Sequence, residues 1–342
     1  MPRMKTLVYG AGAIGGYLGA ILTAAGHDVT LVARGAQYEA LSSRGIILEG
    51  PKSGRPDPIR VKAVRPADAR GTYDLLFVTL KSHQIAEVAP HLRSLAAKDA
   101  TFVFPQNGIP WWYFDGLPSS RQGTRLATVD PDGILARTFR IEEIVGGVVF
   151  KPSDLVQPGR IRLADSPSDA LSIGEVDNRI TPRLDVIAKL VGPAGWPVNV
   201  TDDIRKVKWG KLLANAVWNP LGAITQGTAT HLAQFGPTRD LAVAMIGEVM
   251  AIAAAVGVPL EGSPAEIVAG TAKRVSLPSS TMQDVRAGKS LELDAILNAV
   301  LEIARLCSVP TPTLTVVAAC AGMVNRRIVE DGVAIAPVKV RN

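Results

Sequence analysis

The segment KTLVYGAGAIGGYLGAILTAAGHDVTLVAR (residues 5–34) constrains the fold of this 342-residue chain more than any other feature. A short apolar strand leads into a glycine-rich turn, a helix of small residues follows, and a second strand closes the unit within about 30 residues. In that context Gly10 would allow a tight turn, Gly12 a close approach of the backbone to a pyrophosphate, and Gly15 close packing of helix on strand. The segment therefore predicts a Rossmann-like dinucleotide-binding domain, with an ordinary tight strand-to-helix turn as the alternative. The loop residues assigned to the cofactor are Gly10, Gly12, Ala13, Ile14 and Gly15.

The end of the second strand indicates which dinucleotide is bound. Sites for NAD usually place a carboxylate there, which binds the ribose 2′-hydroxyl. This chain has Ala33 and Arg34 instead, and a guanidinium at that point suits a 2′-phosphate. We therefore predict NADP (NADPH) rather than NAD, with a surface arginine that binds no ligand as the alternative.

Composition narrows the class of protein. Hydrophobic residues make up 47% and charged residues 20% of the sequence, as in globular proteins, and the length suits two domains. The net charge of +6 comes from scattered lysines and arginines without a basic run interleaved with aromatic residues, so no nucleic acid partner is expected. A basic surface that attracts anionic metabolites explains the charge.

Neither a membrane segment nor a metal site is predicted. The N-terminal residues do not resemble a signal peptide, and the longest apolar segment (241–258) contains Glu248, as a core helix would tolerate. Cys307 and Cys320 stand apart in apolar helical surroundings, which predicts buried, reduced thiols rather than a disulfide. The 4 histidines are too dispersed to hold a metal. We expect a cytoplasmic protein with no membrane partner.

Polar residues follow two further strand-like runs of the first half. One run ends at Lys81, before a predicted helix over 82–96, and another is followed by Asn107. Because ligands of open α/β sheets bind beyond the carboxyl ends of strands, both side chains are placed to meet a cofactor or its substrate. A solvated Lys81 is the alternative. The aromatic run over 111–114 either packs against the second domain or forms an apolar wall over the substrate.

The second half of the chain is predicted to be helical. The runs GRIRLA (159–164) and ALSIGE (170–175) predict a hairpin that extends the first sheet, and the domain boundary is placed near residue 202. We therefore predict an NADP-binding domain over 1–202 and a helical substrate-binding and catalytic domain over 203–342. The long amphipathic runs span 203–218, 238–257, 264–275, 290–307 and 312–329.

Three polar side chains recur every four residues in the apolar segment GKLLANAVWNPLGAIT (210–225). Residues at this spacing project in the same general direction from a helix, so Lys211, Asn215 and Asn219 share a stripe. Pro220 is expected to end the segment or begin the next turn. Burial of an ammonium and two amides costs free energy unless partners satisfy them. The stripe is either a solvated helix edge or the edge of an active site.

A second group of polar residues lies in LPSSTMQDVRAGKSLELDAI (277–296). Ser279 and Ser280 precede a helical turn, and the acids Glu292 and Asp294 begin the next predicted helix. The helix dipole favours acids in a first turn whatever their function, which is the alternative to a catalytic role.

Taken together, these motifs resemble the ketopantoate reductase (2-dehydropantoate 2-reductase) family. The resemblance covers nearly the whole chain in family order, and its motifs are GAGAIGG, VTLKSHQ (78–84), QNG (106–108), WGKLLANAVWNPLGAIT (209–225) and SSTMQDVRAGKSLELD (279–294). It implies an α/β protein: an N-terminal Rossmann-like domain plus a C-terminal all-α domain like that of 6-phosphogluconate dehydrogenase, with the active site in the cleft. NADPH would deliver hydride to the C2 carbonyl of a 2-oxo acid.

The resemblance also implies roles for individual residues. Lys211 would donate a proton to the developing alkoxide, and Glu292 would bind Lys211 or substrate hydroxyl groups. The substrate would be held by Asn107, Asn215, Asn219 and Ser280. Besides the glycine loop, the cofactor would be held by Arg34, Lys81, Gln84 and Asn107.

The substrate and the assembly are less constrained. The resemblance favours reduction of 2-dehydropantoate to pantoate in pantothenate biosynthesis, and it leaves a homodimer open. Family members that act on ketopantoate commonly continue the acidic motif with Asn-Gly, whereas this chain has Leu297, Asn298 and Ala299 there. A paralogous NADP-dependent reductase of another, more apolar 2-oxo acid is therefore the alternative. A non-catalytic NADP-binding protein is less favoured. Such a protein would not need Lys211, Asn215, Ser280 and Glu292, and this chain has all of them.

Overall fold

The computed structural model describes residues 4–51 and 54–338 of the chain. They divide into two compact units. The first unit contains the described residues up to 106 together with 111–125 and 130–204, and the second contains 107–110, 126–129 and the residues from 205 onward. Two short segments of the N-terminal half thus belong to the helical unit, which the periodicity of the sequence does not reveal.

Strands occur in the first unit and helices in both. The strands are β1 (Thr6–Tyr9), β2 (Val29–Val32), β3 (Ile46–Glu49), β4 (Arg55–Ile59), β5 (Lys62–Val64), β6 (Tyr73–Val78), β7 (Ala96–Phe104), β8 (Ile144–Phe150), β9 (Ser153–Gln157), β10 (Arg160–Leu163), β11 (Ala170–Glu175) and β12 (Val198–Val200). The α-helices are α1 (Ala13–Ala24), α2 (Gly35–Ser43), α3 (Ile85–Ser94), α4 (Ile134–Thr138), α5 (Pro182–Val191), α6 (Ile204–Thr225), α7 (Ala229–Gln234), α8 (Gly236–Ala255), α9 (Pro264–Ala272), α10 (Ser280–Arg286), α11 (Ala299–Leu306) and α12 (Pro312–Asp331).

The main sheet has eight strands in the order β12-β11-β8-β7-β6-β1-β2-β5. From β5 to β8 all pairings are parallel. In chain order these six strands follow the 3-2-1-4-5-6 arrangement of dinucleotide-binding sheets. Strand β11 pairs antiparallel with β8, and β12 pairs parallel with β11, so this end of the sheet runs opposite to the rest. The predicted Rossmann-like architecture is confirmed.

The small residues of α1 explain how this helix lies so close to the sheet. Strands β1 and β2 are buried throughout, and α1 packs on them. A Cβ atom at Gly19 would lie 2.5 Å from the side chain of Leu31 in β2. Glycine at this position therefore permits a helix-to-strand approach that any larger residue would block.

The predicted hairpin of 159–164 with 170–175 is wrong, because its two strands lie in different sheets. Strand β10 joins a four-stranded sheet of order β4-β3-β10-β9, whereas β11 belongs to the main sheet. The cause is packing: Ile161 of β10 is fully buried, and its Cδ1 atom would lie 2.6 Å from a Cβ at Gly16 of α1. Local alternation identified both strands but could not identify their partners.

Helix α6 runs through Pro220 to Thr225, past the end predicted for it at residue 218. Proline removes one backbone donor inside a helix and crowds the preceding turn. The residues on either side of it are buried, and a Cβ at Gly222 would lie 3.1 Å from Met282 of α10. Tertiary packing therefore continues the helix where local preference would stop it.

Two further expectations concern the surface. Cys320 is exposed and Cys307 is partly exposed, so the predicted burial of these thiols is wrong; both are free of disulfides. Cys307 directly follows the last residue of α11 and Cys320 lies within α12, and the sequence pattern did not separate these exposed or partly exposed positions from the buried ones nearby. Among the described helices, none combines the length and the apolar character needed to cross a bilayer.

Candidate active site

The glycine loop after β1 has the geometry that close approach of a dinucleotide requires. Gly10 has φ of +109°, where a Cβ would also lie 2.9 Å from the Leu80 side chain. A Cβ at Gly15 would lie 2.2 Å from the carbonyl oxygen of Gly10, so only glycine fits between α1 and the turn. At Gly12, by contrast, a Cβ would meet nothing within 4 Å among the described residues. The backbone at the start of α1 is therefore open to a ligand.

Arg34 stands at the carboxyl end of β2, as the sequence predicted. Its side chain is exposed, and its backbone caps α2. The adjacent strand β5 ends beside it, since the amide of Ala33 donates to the carbonyl of Val64 at 3.0 Å. Arg34 can therefore reach an anion at this edge without being needed for the core of the unit.

The loop after β6 positions Lys81 and Gln84. Lys81 precedes a single 3₁₀ turn over Ser82–Gln84, and the Gln84 side-chain oxygen accepts a hydrogen bond from the Lys81 amide at 3.2 Å. Gln106, part of the QNG motif but not a predicted site residue, donates to the carbonyl groups of Val78 and Leu80. These bonds fix the end of β6 and leave the Lys81 side chain partly exposed.

The aromatic run after β7 is part of the core of the first unit. Trp112 is fully buried, and Trp111, Tyr113 and Phe114 are at most 7% exposed. The Trp111 ring packs edge-on against Phe104 with centroids 4.6 Å apart. The run therefore contributes to the core of the first unit.

A cavity in the first unit lies away from the glycine loop. Its lining includes Glu142, Glu175 and Arg183. These residues lie at the edge of the sheet where β8 begins and β11 ends, and Gly10 lies at the opposite edge. The carboxylate of Glu175 accepts bonds from Thr181 and from the guanidinium of Arg183. Glu175 and Arg183 are thus engaged with one another, and the cavity is not the site that the sequence motifs define.

In the second unit, α6 carries the predicted polar stripe on one continuous helix. Lys211 and Asn215 are partly buried, and Asn219 is 5% exposed. Leu212, Val217 and most other apolar residues of the helix are buried on its remaining faces. The stripe is therefore not a solvated helix edge.

The carboxylate of Glu292 acts electrostatically on the amine of Lys211. Burial lowers the pKa of Lys211 to about 8, and the negative charge of Glu292 opposes that shift. Glu292 directly precedes the helical segment that begins at Leu293 and continues as a π-helical turn over Asp294–Asn298. Asp294 is exposed and accepts a hydrogen bond from Asn298 at 2.8 Å. Of Glu292 and Asp294, Glu292 is thus the acid that acts on the lysine.

Asn107 belongs to the same unit through the segment 107–110. The amide of Ile109 donates to the Ala295 carbonyl at 2.8 Å, and a Cβ at Gly108 would lie 2.2 Å from that oxygen. Gly108 is therefore required for the segment to lie against the π-helical turn that follows Glu292.

Two amide atoms in this unit are buried without a protein partner. Among the described residues, neither Oδ1 of Asn107 nor Nδ2 of Asn219 has a hydrogen-bond partner. Buried polar atoms are nearly always hydrogen-bonded, so atoms of this kind indicate a place where a ligand can bind. Asn107 offers an acceptor and Asn219 a donor.

The two serines differ in their surroundings. The hydroxyl of Ser279 accepts a hydrogen bond from the Met282 amide at 3.2 Å and caps α10, whereas Ser280 is exposed at the first position of that helix. The contact of Met282 with Gly222 places α10 against α6. Ser280 is therefore near the helix that carries the stripe and is available to a ligand, although the structure gives it no contact with the stripe residues.

Arg205 and Lys208 precede Lys211 on α6 and were not among the site residues predicted from the sequence. They are 5% and 3% exposed, respectively. Burial and the charges of Lys211 and Arg205 lower the pKa of Lys208 to about 7. The sequence does show that Arg205, Lys208 and Lys211 recur every three residues in IRKVKWGK (204–211). This spacing places consecutive cations on adjacent turns of a helix.

The fold and these residues define a class of protein: a Rossmann-type domain joined to an all-helical domain, as in dinucleotide-dependent oxidoreductases. Comparison with known proteins identifies the family. Residues 6–178 match the family described as ketopantoate reductase PanE/ApbA, and residues 203–325 match its C-terminal counterpart.

Individual relatives agree with this match. The chain is 35% identical to the 2-dehydropantoate 2-reductase of Mesorhizobium japonicum over 96% of its own length and 99% of the relative's. A proposed ketopantoate reductase of known structure from Ralstonia solanacearum is 32% identical, with 95% and 98% coverage and a TM-score of 0.88. The structure of 2-dehydropantoate 2-reductase from Geobacter metallireducens is 26% identical in sequence. The match covers 94% of this chain and 99% of that one, with a TM-score of 0.81. The chain belongs to the ketopantoate reductase family and is an oxidoreductase acting on CH–OH groups.

Proposed function

We propose that the protein reduces 2-dehydropantoate to pantoate with NADPH, the reductive step of pantothenate biosynthesis. The observation that carries this proposal is the pairing of Lys211 with Glu292 in the unit that also contains the two buried amide atoms without partners. A nucleotide-binding protein without catalysis would need neither a buried lysine nor orphaned amides. The high coverage by relatives named 2-dehydropantoate 2-reductase supports the same substrate.

Lys211 is the proton donor in this proposal. Hydride addition at C2 of the oxo acid places negative charge on the carbonyl oxygen, and a protonated amine beside that oxygen both stabilises the charge and supplies the proton. Glu292 keeps the amine protonated and oriented, because its negative charge opposes the effect of burial on the pKa. It can also accept a hydrogen bond from the hydroxyl group of the substrate.

The orphaned amides bind the substrate. Nδ2 of Asn219 donates to an oxygen of the oxo acid, and Oδ1 of Asn107 accepts from its hydroxyl group. Asn215, one turn before Asn219, and Ser280 complete the substrate-binding set. Each buried amide then gains the partner that the folded protein does not supply.

The cofactor is assigned to the first unit. The open backbone at Gly12 takes the pyrophosphate, and Ala13, Ile14 and Gly15 continue the loop into α1. Arg34 binds the 2′-phosphate and so selects NADPH over NADH. Lys81, Gln84 and Asn107 are the remaining cofactor residues in this proposal. When bound, the cofactor supplies the hydride.

The alternative substrate, a more apolar 2-oxo acid, keeps the support of the departure at Leu297, Asn298 and Ala299 but loses the support of the aromatic run. The aromatic run was its intended wall, but Trp112 is fully buried and the neighbouring rings pack in the core of the first unit. The 2-dehydropantoate proposal needs no such wall.

A panel of 2-oxo acids tests the proposal directly. NADPH oxidation is followed with 2-dehydropantoate, pyruvate, 2-oxoisovalerate and phenylpyruvate. We expect kcat/KM to be highest for 2-dehydropantoate. If pyruvate or an apolar analogue is reduced equally well, the pantothenate assignment fails, and if none is reduced, the proposed reaction fails.

A further inference from the structure

The side chain of Gln37 joins three segments of the first unit. Gln37 lies in the first turn of α2, three residues after Arg34, and is partly buried. Its Nε2 atom donates to the carbonyl oxygen of Ala11 at 2.7 Å, and its Oε1 atom accepts from the amide of Gly159 at 2.9 Å. The two polar ends of the side chain are therefore engaged with backbone, one at the glycine loop and the other at the turn between β9 and β10.

The turn that Gln37 contacts is itself anchored. The carbonyl of Gly159 accepts a hydrogen bond from the amide of Ile47 in β3 at 2.9 Å, and a Cβ at Gly159 would lie 3.2 Å from the Cβ of Ala40 in α2. The turn thus lies against α2 and continues into the second sheet. Gln37 therefore bonds the glycine loop from a fixed position.

The bond to Ala11 orients the peptide group that precedes α1. The carbonyl of Ala11 and the amide of Gly12 belong to one planar peptide. Gln37 holds the carbonyl, and the Gly12 amide donates to the carbonyl of Gly10 at 2.8 Å. The same Gly10 oxygen accepts from the hydroxyl of Thr79 at 2.8 Å. Both ends of the peptide are thus fixed, and with them the direction of the amides that a helix leaves unpaired at its N-terminus.

This orientation matters for an anionic ligand. A pyrophosphate at the open backbone of Gly12 would take hydrogen bonds from the amides at the start of α1. Without its bond to Gln37, the carbonyl of Ala11 would be free to rotate toward the phosphates, and its partial negative charge would repel them. The bond keeps this oxygen directed toward α2.

We propose that Gln37 is a positioning residue for the cofactor and holds the glycine loop in the conformation that binds the pyrophosphate. This inference rests on the proposed function, which assigns the dinucleotide to this loop, and it adds a residue outside the glycine motif. Gln37 and Arg34 then have separate tasks although they lie within one helical turn. Arg34 contacts the 2′-phosphate, whereas Gln37 acts on the pyrophosphate through the loop.

Two fragments of the cofactor separate these tasks. Adenosine 2′-phosphate carries the 2′-phosphate without a pyrophosphate, and ADP carries a pyrophosphate without the 2′-phosphate. The Kd values for both fragments, for NADPH and for NADH are measured by calorimetry on the wild type, Gln37→Leu and Arg34→Ala. Gln157→Leu is the matched control, because it makes the same exchange at an exposed position of β9, close to the Gly159 turn.

We expect Gln37→Leu to raise the Kd for ADP, NADPH and NADH roughly three- to tenfold, the scale of one net hydrogen bond. The Kd for adenosine 2′-phosphate, and the ratio of the NADPH and NADH constants, should change by less than about twofold. Arg34→Ala should show the opposite pattern, and the control should bind all four ligands as the wild type does. Unchanged ADP binding in Gln37→Leu would overturn the proposal. So would equal weakening of both fragments, which a general disturbance of the unit would produce.

A second variant keeps the test decisive if Gln37→Leu does not fold. Gln37→Glu retains an acceptor for the Gly159 amide but cannot donate to the Ala11 carbonyl. It should bind ADP at least about threefold more weakly than the wild type, with thermal unfolding as the check that it is folded. Wild-type affinity for ADP in this variant would overturn the proposal, whatever the result for Gln37→Leu.

Failure of this inference is distinguishable from failure of the proposed function. The binding constants require no oxo acid, so they test Gln37 even if no oxo acid is reduced. If the wild type binds neither ADP nor NADPH, the assignment of the loop to a dinucleotide fails, and this inference fails with it. If 2-dehydropantoate is reduced, Gln37→Leu should raise KM for NADPH and leave kcat at saturating NADPH within about twofold. A lower kcat with an unchanged KM would contradict the positioning role.

Discussion

The carboxylate of Glu292 raises the pKa of Lys211 against the effect of burial, and the balance leaves the amine with a pKa of about 8. The two residues lie far apart in the sequence, and the fold of the helical unit brings them within electrostatic reach. A general acid is most effective when its pKa is close to the working pH. The pair therefore gives the proposed proton donor a suitable acidity.

The pH dependence of kcat follows from this balance. Reduction requires the protonated amine, so kcat with saturating oxo acid should fall as the pH rises through about 8 and beyond. Glu292→Gln removes the charge that raises the pKa, and the fall should then begin at lower pH. Steady-state rates measured from pH 6 to 10 check both statements. The assignment would be contradicted if kcat did not decrease at high pH, or if the decrease occurred at the same pH in Glu292→Gln as in the wild type.

Arg34→Ala should weaken NADPH binding without affecting NADH. A charge-assisted hydrogen bond contributes about 1.5–3 kcal/mol, which corresponds to a loss in affinity of roughly 10- to 100-fold. The side chain is exposed, so folding should not change. Arg44→Ala, at the other end of α2 and also exposed, is the control. Fluorescence titrations with both nucleotides measure the difference, and equal weakening of the two would remove the 2′-phosphate role.

Asn219→Leu should separate substrate binding from stability. The side-chain nitrogen of Asn219 is buried and without a partner among the described residues, and a buried donor of this kind costs about 1–3 kcal/mol. Its removal should leave the free energy of unfolding unchanged or raise it, while KM for the oxo acid increases. Thermal unfolding and steady-state kinetics are measured on the same preparation. A clear drop in Tm with unchanged KM would identify Asn219 as a structural residue.

Lys208→Met should stabilise the protein most at low pH. The unfolded chain keeps this amine protonated up to about pH 10.5, whereas the folded protein keeps it protonated only below about pH 7. The unfolded state thus binds more protons between these values, so the contribution of Lys208 to stability rises with pH there. Its full cost, on the order of a few kcal/mol, applies below pH 7. The gain in Tm from the substitution should therefore be larger at pH 6 than at pH 9.5, and an equal gain at both would contradict this account.

The sequence was sufficient for the fold where local pattern and tertiary packing agree. Residues 5–34 show the order strand, glycine turn, helix and strand, which predicts the start of the parallel sheet. The structure agrees with this pattern because only glycine fits at positions such as Gly15. It was insufficient where packing partners decide. The strand at 160–163 has the alternation expected of a hairpin, but Ile161 packs against α1 in a second sheet.

The candidate site divides in the same way. The spacing of Lys211, Asn215 and Asn219 was visible in the sequence because helical geometry fixes their common direction. The burial of Lys208 was not visible, since cation-rich helices are usually solvated and only the surrounding unit determines which lysine is withdrawn from water. The aromatic run could not be placed for a similar reason: its composition suits a core and a ligand wall equally well.

The most direct test of the central claim is the rate of NADPH-dependent reduction of 2-dehydropantoate by Lys211→Met, compared with the wild type and with Lys206→Met. Loss of the general acid should lower kcat by a factor of roughly 10² or more, with the Kd for NADPH unchanged and the control fully active. A decrease of less than about threefold would show that Lys211 is not the proton donor.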